Sequence, residues 1–280
     1  MTDRLNYTRE GYLNDDFKMF HLRDTAGQER DFHFHEFDKI VILISGSVDY
    51  MVEGTSYKLR PWDVLLVRHH MIHKAAIDVS VPYERMIIYL DSGYVERFAP
   101  ESRLTDCFAA AEKRRFCLIR PDGDETDILR EALDRLENSL YDNGFGAELM
   151  RGTMLVQLLV HLNRIMQRGE SGESAAEHNE KIASVLSYIN ENLSDELTVD
   201  ELAARSYLSR YHFMRLFKAQ TGYTVHNYIR LKRLDLAARL IREGVPAVKA
   251  SAECGFSDYS AFHRAFTATF GVSPGRIRKK

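Results

Sequence analysis

Residues 255–266 read Gly255-Phe-Ser-Asp-Tyr-Ser-Ala-Phe-His-Arg-Ala-Phe266, and a related pattern precedes them by 49 residues. An internal repeat of this kind indicates that one supersecondary unit occurs twice in the chain. Identical residues at this offset include Ala203 and Ala252, Phe213 and Phe262, Arg215 and Arg264, Phe217 and Phe266, Ala219 and Ala268, and Gly222 and Gly271.

The first copy of the repeat has the pattern of a short helix, a turn and a longer helix. Thr198 and Glu201 have the spacing of a capping box, which predicts a helix that runs to about Ser206. Ser209 is suited to cap the second helix, and Gly222 is suited to end it because glycine readily adopts the left-handed conformation. Two helices joined by such a short turn form a helix-turn-helix unit.

The second copy repeats this order after a connecting helix. Pro246 is expected at the first turn of a short helix that ends near Gly255, and Asp258 is expected to cap a longer helix that ends before Gly271. The apolar periodicity of residues 224–243 predicts one long helix between the copies. The C-terminal part is therefore predicted to be an all-α domain with two helix-turn-helix units.

The second helix of each unit carries polar and aromatic residues opposite its apolar face. Such a helix can enter the DNA major groove, where arginine binds guanine and aromatic or small side chains contact thymine methyl groups. A solvated basic face is the alternative for any single residue, but the repeated arrangement favours DNA. The predicted DNA-binding residues are Arg210, Tyr211, Met214, Arg215, Lys218, Tyr259, Ser260, His263 and Arg264.

The charge of the chain is unevenly distributed. Residues 1–177 hold 22 Lys and Arg against 31 Asp and Glu, a net charge of −9, whereas residues 178–280 hold 16 against 10, a net charge of +6. A basic module on an acidic body favours contact between that module and a polyanion. Residues 169–177 are rich in Gly, Ser and Glu, and they are predicted to be the linker between the two parts.

Two amphipathic helices are predicted before this linker. Residues 124–138 and 147–168 carry apolar residues at helical spacing, with turn residues between them. The two helices either cover their own domain or pack against the same pair in a second chain. We favour the second alternative and assign residues 124–168 as a helical dimerisation segment.

Three motifs extend through the two C-terminal units, and together they resemble the AraC/XylS family of bacterial transcription regulators from about Lys181 to Lys279. The motifs are Leu197-Thr-Val-Asp-Glu-Leu-Ala-Ala204, Leu208-Ser-Arg-Tyr-His-Phe-Met-Arg-Leu-Phe-Lys-Ala-Gln-Thr-Gly222, and Gly255-Phe-Ser-Asp-Tyr-Ser-Ala-Phe-His-Arg-Ala-Phe266 followed by Phe270-Gly-Val-Ser-Pro274.

This resemblance implies that the second helix of each unit enters one of two successive major grooves on the same face of the DNA. The chain departs from the family at Thr267, where a lysine is usual, and at Ile277, where an aromatic residue is frequent. Loss of the lysine implies one phosphate contact fewer, which lowers affinity more than specificity. By position, the resemblance assigns base contacts to Tyr211, Met214 and Arg215 and to Tyr259, Ser260, His263 and Arg264.

The N-terminal part is predicted to form a small β-barrel or jelly roll. Its short apolar or alternating runs are separated by the turn sequences Glu53-Gly54 and Pro61-Trp-Asp63, as expected for many short strands. The predicted strands cover residues 40–44, 47–52, 57–59, 64–67 and 86–90, and residues 17–22 are a candidate for another.

Three histidines mark a candidate site in this barrel. His33 and His35 are expected on the same face of a strand, and His73 follows later in a pattern that resembles a cupin sensor domain. Lys39 occupies the position where metal-binding cupins carry glutamate, and its charge opposes a divalent cation. Three histidines suffice for an open metal site, but we predict no metal and no cofactor. These histidines and Lys39 either border a ligand pocket or have a structural role.

Composition excludes several protein classes. The chain has 280 residues, of which 45% are hydrophobic and 28% charged, so a disordered chain is not expected. No apolar run approaches the roughly 18 residues of a membrane span, and the N-terminus is too polar for a signal peptide, so a cytoplasmic protein is expected. Three cysteines without C-x-x-C spacing favour reduced thiols over disulfides or a zinc cluster.

The sequence thus predicts an α+β multidomain transcription regulator: a cupin-like sensor domain (residues 1–123), the dimerisation segment, the linker, and a DNA-binding domain (residues 178–280). Its expected partners are promoter DNA, RNA polymerase, a small-molecule effector such as a sugar, and a second copy of itself. Activation rather than repression is expected from the family resemblance alone. The alternatives are a metal-dependent cupin enzyme, a regulator without a ligand, and a DNA-packaging or interaction protein.

Overall fold

The structure is a computed structural model that describes Leu13 and residues 15–24, 31–168, 176–178 and 180–277. For Ser92 and for residues 176–178 and 180, only the backbone is described. Most of the predicted linker, residues 169–175, lies outside the described residues.

Nine described strands form two antiparallel sheets in the N-terminal part. One sheet has the order β1-β7-β2-β5-β8 and the other has the order β6-β3-β4-β9. This architecture confirms the predicted cupin-like β domain. The strands are β1 (Phe17–Asp24), β2 (Asp38–Ser45), β3 (Val48–Val52), β4 (Thr55–Lys58), β5 (Val64–Val67), β6 (His73–Ile77), β7 (Tyr83–Leu90), β8 (Leu118–Ile119) and β9 (Ala176–His178).

The strands follow from the apolar pattern of the sequence. β2 is central, between β7 and β5, and its residues from Asp38 to Leu43 are all buried, as the continuous run from Ile40 predicts. Glu53 and Gly54 have positive φ angles of 47° and 79°, the conformation of a tight hairpin turn. The predicted strands are confirmed, whereas β6, β8 and β9 were not predicted.

Four helices among the described residues complete the N-terminal part, and two of them confirm the predicted helical pair. α3 begins at a capping box in which the Asp122 carboxylate accepts from Glu125 N and the Glu125 carboxylate accepts from Asp122 N. α3 and α4 pack on each other and on the barrel core through leucines. The helices are α1 (Ser92–Phe98), α2 (Asp106–Arg114), α3 (Gly123–Ser139) and α4 (Ala147–Arg168).

The C-terminal part is helical and contains both predicted helix-turn-helix units. The predicted caps Thr198, Ser209 and Asp258 each accept a backbone N–H, and Gly222 and Gly271 adopt left-handed conformations at the helix ends. The helices are α5 (Glu180–Glu191), α6 (Val199–Arg205), α7 (Arg210–Thr221), α8 (Val225–Arg242), α9 (Ala247–Glu253) and α10 (Tyr259–Phe270), followed by a 3-10 turn at Pro274–Arg276.

One cap differs in detail from the prediction. Thr198 Oγ1 accepts from Glu201 N at 3.2 Å, but the Glu201 carboxylate accepts from the Tyr188 hydroxyl at 2.9 Å rather than from the cap backbone. The capping box is therefore only half formed, because the Tyr188 hydroxyl of α5 competes for the Glu201 carboxylate.

The N-terminal and C-terminal parts share a hydrophobic core. Phe34 and Ile72 lie in the same buried cluster as Phe213 and Phe217 of the first unit, whereas the second unit has a cluster of its own. β9 pairs with β4, so the chain immediately before α5 completes a barrel sheet. The last two residues of the predicted linker, Ala176 and Glu177, therefore lie in a strand. Among the described residues, no helix is both long enough and apolar enough to cross a membrane.

Candidate nucleic-acid interface and barrel pocket

The first predicted recognition helix is α7, and its two faces differ sharply in burial. Phe213 and Phe217 are fully buried against α8, with the Phe217 ring 5.4 Å from that of Tyr228. The side chains on the opposite face project into solvent because α7 packs through a single apolar stripe. The five predicted residues of this helix are all exposed, namely Arg210, Tyr211, Met214, Arg215 and Lys218.

The second predicted recognition helix, α10, repeats this division. Phe262 and Phe266 are fully buried with their ring centroids 5.3 Å apart. The Tyr259 ring packs against Phe262 at 5.7 Å while the residue keeps 38% of its surface exposed. The predicted residues of this helix, Tyr259, Ser260, His263 and Arg264, are all exposed.

One predicted DNA-binding residue of α7 forms an ion pair with α6. Arg210 Nη1 contacts Asp200 Oδ2 at 2.7 Å, in a pair whose side chains are 59% and 67% exposed. An exposed pair of this kind is weak and gives way readily to a phosphate.

His212 of α7 and Tyr207 of the preceding turn are also exposed, Tyr207 by 90%. Neither was predicted, although Tyr207 lies in the turn where a large exposed aromatic residue is a recognisable signal.

The three predicted histidines, His33, His35 and His73, come together in the barrel. The ring centroids of His33 and His73 are 4.3 Å apart, and the His35 ring is 5.0 Å from each of them. All three residues are buried. The expectation that His33 and His35 share a strand is wrong, because they precede β2 outside the named strands. His33 instead forms a single two-way backbone bridge with His73, which aligns the rings.

Hydrogen bonds orient two of these rings. His33 Nδ1 is 2.8 Å from Asp31 O and His73 Nδ1 is 2.9 Å from Met71 O, so in the neutral rings Nδ1 donates and Nε2 has the lone pair. Burial, followed by the charge of Lys39, holds the pKa of His73 well below its usual range. His73 is therefore neutral at physiological pH.

Lys39 occupies part of the space that a metal would need. One ligand atom from each histidine lies within 4.8 Å of the others, a spacing compatible with a metal ion. However, Lys39 Nζ lies 3.4 Å from His73 Nε2 and donates to the Tyr50 hydroxyl at 3.0 Å. The ammonium competes for a lone pair that a divalent cation requires and repels the cation. The donor set present in this chain does not fit a resident metal.

A cavity of about 400 Å³ extends from His33 and Lys39 along the inside of the barrel. β7 contributes Tyr83, Arg85, Ile87 and Tyr89 to its wall, at alternate positions. These residues were not predicted, although the alternation itself is a sequence signal for one face of a strand. Of the four predicted residues, His33 and Lys39 line this cavity, whereas His35 and His73 belong to the histidine cluster beside it.

A buried polar cluster joins the barrel to α8. Glu53, at the hairpin turn between β3 and β4, accepts from Lys232 Nζ and from Ile72 N at 2.8 Å each, and from the Tyr228 hydroxyl. Burial lowers the pKa of Lys232, but the carboxylates around it, Glu53 foremost and then Asp235, together more than offset this effect and the net shift is upward. Lys232 therefore remains charged in the interface.

A second contact lies beside this one. His70 Nδ1 is 2.5 Å from Asp235 Oδ1 of α8, and the His70 ring meets the Phe270 ring of α10 edge-on at 5.8 Å. Burial raises the pKa of Asp235, but His70, His69 and Lys232 together lower it by more, so the net shift is strongly downward. The barrel thus contacts the connecting helix and the end of the second recognition helix. Neither cluster was predicted, because each forms between residues that are more than 160 positions apart.

Two family models match the chain and together cover most of it. Residues 19–181 match the AraC-like ligand binding domain, and residues 202–280 match a helix-turn-helix domain. The division between the two matches falls close to the division between the barrel and the C-terminal helices.

Curated relatives resemble the chain along nearly its whole length. The probable transcriptional regulator LumQ of Photobacterium leiognathi is 26% identical, over 91% of this chain and 94% of that protein. The HTH-type transcriptional activator RhaR of Pectobacterium atrosepticum is 24% identical, over 89% of this chain and 86% of that protein. Among solved structures, an apo ToxT variant from Vibrio cholerae aligns over 93% of this chain and 96% of that chain, with 14% identity and a TM-score of 0.42.

Proposed function

The chain belongs to the AraC family of DNA-binding transcription regulators, and from this premise we propose that it activates transcription when a small molecule occupies its barrel. The observation that carries the proposal is the repeated exposure of one polar face on α7 and on α10, above a buried pair of phenylalanines in each helix. This arrangement presents two helices to DNA from one domain, with α8 fixing their relative positions.

The DNA contacts that we propose divide by chemistry. Arg215 and Arg264 have the planar donor pairs that recognise guanine, and Tyr211, Met214 and Tyr259 supply surfaces for thymine methyl groups. Arg210 and Lys218 are assigned to phosphates, which give affinity but little specificity. Ser260 and His263 complete the predicted base contacts on α10.

We propose that the regulator acts as a homodimer through the tip of the α3–α4 hairpin. Large apolar side chains are exposed there in one continuous stretch of chain, and Phe145 is as exposed as it would be in an extended peptide. Exposed apolar patches of this kind mark interaction surfaces. The tip residues are Tyr141, Phe145, Leu149 and Met150, with exposures of 77%, 109%, 65% and 47%.

Activation implies contact with RNA polymerase, and action on the chromosome implies a cytoplasmic location. Both are part of the proposal, and the description of relatives as activators supports the first. We propose that the barrel is a sensor and has no catalytic role, because Lys39 occupies the site that cupin metal chemistry requires. The alternative, a metal-dependent enzyme, predicts stoichiometric metal in the purified protein.

Binding of the full-length chain to DNA tests this function directly. Fluorescence anisotropy with DNA from upstream of the neighbouring operon should give an affinity well above that for random DNA of the same length. Binding should also weaken steeply with salt as phosphate contacts release counterions. Equal affinity for both DNAs at every salt concentration would support a DNA-packaging protein instead.

A further inference from the structure

The cavity of the barrel has a basic side chain at each end. At the end next to the histidines, Lys39 Nζ is 3.0 Å from the Tyr50 hydroxyl. At the other end, Arg85 Nη1 donates to Asp24 Oδ2 at 2.6 Å. The Arg85 side chain is 12% exposed and that of Asp24 is 45% exposed, so Asp24 is on the solvent side of the pair.

The strand register separates the two basic groups. Lys39 is opposite Tyr89 in the β2–β7 pair, and Arg85 lies four residues before Tyr89 on β7. At about 3.3 Å per residue, the backbone positions are about 13 Å apart along the strand. Lys39 is held towards His73 of β6 and Arg85 towards Asp24 of β1, so the two head groups have different protein partners.

Aliphatic and tyrosine side chains line the walls between these ends. Leu22, Ile77 and Ile87 face the cavity, and the Arg85 guanidinium stacks 4.5 Å from the Tyr83 ring. Stacking fixes the plane of the guanidinium and leaves further N–H donors for a ligand, since the Asp24 contact uses one of five. A volume of about 400 Å³ accommodates a small organic molecule.

We propose that this cavity binds an elongated organic anion, with a carboxylate at Lys39 and Tyr50, a second acceptor group at Arg85, and an apolar chain between them. Among the described wall residues, two side chains are cationic, Lys39 and Arg85, and one is a carboxylate, Asp24. This balance of charge favours an anion over a neutral sugar. The inference rests on the proposed function, because this anion would be the effector of the same regulator.

Calorimetric titration of the full chain tests the inference with defined probes. The probes are the straight-chain dicarboxylates from succinate to sebacate, the monocarboxylates and diols of the same lengths, and neutral pentoses. We expect the dicarboxylates to bind, with an optimum length within the series, and the matching monocarboxylates to bind about tenfold more weakly because one charge-assisted contact is lost. Equal or tighter binding of diols or pentoses would overturn the inference.

Variants assign the two ends of the ligand. Arg85→Gln should lower dicarboxylate affinity about tenfold, to that of the monocarboxylate, and leave monocarboxylate affinity unchanged. Lys39→Met should abolish the binding of both. Tyr50→Phe keeps the ring and should weaken the binding of dicarboxylates and monocarboxylates alike. It tests the same end of the ligand if Lys39→Met does not fold. Unchanged affinity in Arg85→Gln and in Tyr50→Phe would refute the assignment.

DNA binding separates this inference from the function on which it rests. If the chain recognises its upstream DNA but none of the anions binds, the ligand class is wrong and the regulator remains. If an anion binds but the chain has no preference for the upstream DNA, the proposed function fails while the binding site remains.

Discussion

Lys232 of the connecting helix α8 donates to Glu53 of the barrel hairpin at 2.8 Å, with side chains only 11% and 15% exposed. The hairpin tip is tightly packed, since a Cβ on Gly54 would lie 2.8 Å from Leu186 Cδ1 of α5. This pair therefore ties the sensor domain to the helix that spaces the two recognition helices, and any ligand-dependent movement must act on or around it.

Glu53→Gln should destabilise the protein because it leaves the Lys232 ammonium buried without its carboxylate. Breaking one partner of a buried pair costs on the order of 3 kcal/mol. The measurement is urea unfolding followed by circular dichroism. The double variant Glu53→Gln/Lys232→Met removes the stranded charge and should regain most of the loss. If the single and the double variant lose the same free energy of unfolding, Glu53 and Lys232 are not energetically coupled.

His69 should make stability depend on pH. Burial lowers the pKa of His69, but the hydrogen bond to Asp38 at 2.8 Å and the charges of Asp38 and Asp235 together outweigh this effect, and the net shift is upward. This contribution is fully present below the ordinary histidine value of about 6.5 and is lost as the pH rises through the higher folded-state pKa. The pKa of His73 is lowered, so its contribution to stability has the opposite pH dependence.

A comparison of the wild type with His69→Gln isolates the contribution of His69 to stability. Their difference in unfolding free energy should shrink as the pH rises above about 6.5. His226→Gln, at an exposed histidine of α8, is the matched control and should follow the wild type at every pH. A constant difference between the wild type and His69→Gln would contradict the prediction.

Arg215→Ala and Arg264→Ala should each weaken binding to the specific DNA by about 1–3 kcal/mol, with a smaller effect on random DNA. The reason is that a bidentate contact to guanine is lost in each case. Anisotropy titrations with both DNAs at one salt concentration measure the effect. Arg130→Ala, an exposed arginine on α3, controls for the change of charge. An equal loss on both DNAs would reassign the two arginines to phosphate contacts.

Phe145→Glu should convert the proposed dimer to a monomer without lowering the stability of the chain, since Phe145 is fully exposed. Sedimentation velocity over a range of protein concentrations measures the change. Val248→Glu, at an exposed apolar position on α9, is the matched control and should remain dimeric. A dimer that persists in Phe145→Glu and in Leu149→Glu would place the interface elsewhere.

Lys39→Glu should create a metal site. The substitution removes the ammonium 3.4 Å from His73 Nε2 and adds a carboxylate beside three histidine ligands. We expect the variant to bind Co²⁺ or Zn²⁺ with a rise in Tm, whereas the wild type shows none. Lys39→Met removes the ammonium without adding a carboxylate and should bind these ions more weakly than Lys39→Glu. Failure of Lys39→Glu to bind either ion would mean that the histidine lone pairs do not converge on one point.

Much of the C-terminal fold could be predicted because its determinants are local. Thr198, Ser209 and Asp258 cap helices within three residues of themselves, and Gly222 and Gly271 end helices by their own conformational freedom. The outward faces of α7 and α10 follow from helical periodicity once the phenylalanines are assigned to the core. The matching offset of 49 residues added a check that no single motif provides.

The candidate pocket was predicted only in part. His33, His35, Lys39 and His73 were recognised from their spacing, yet the wall that gives the cavity its chemistry comes mainly from β7. Arg85 faces the cavity because the pairing of β7 with β2 and β1 sets which side chains point inward. A shift of one residue would turn it outward, and spacing alone does not reveal that register.

The two helix-turn-helix units, the β-rich sensor domain and the opposite charges of the two parts are already evident in the amino-acid sequence, because caps, periodicity and composition act over short distances. Three relationships required the folded chain: Glu53 contacts Lys232, His70 contacts Asp235, and Lys39 and Arg85 line one cavity. These relationships join residues that are distant in the chain, and they depend on strand register and domain packing.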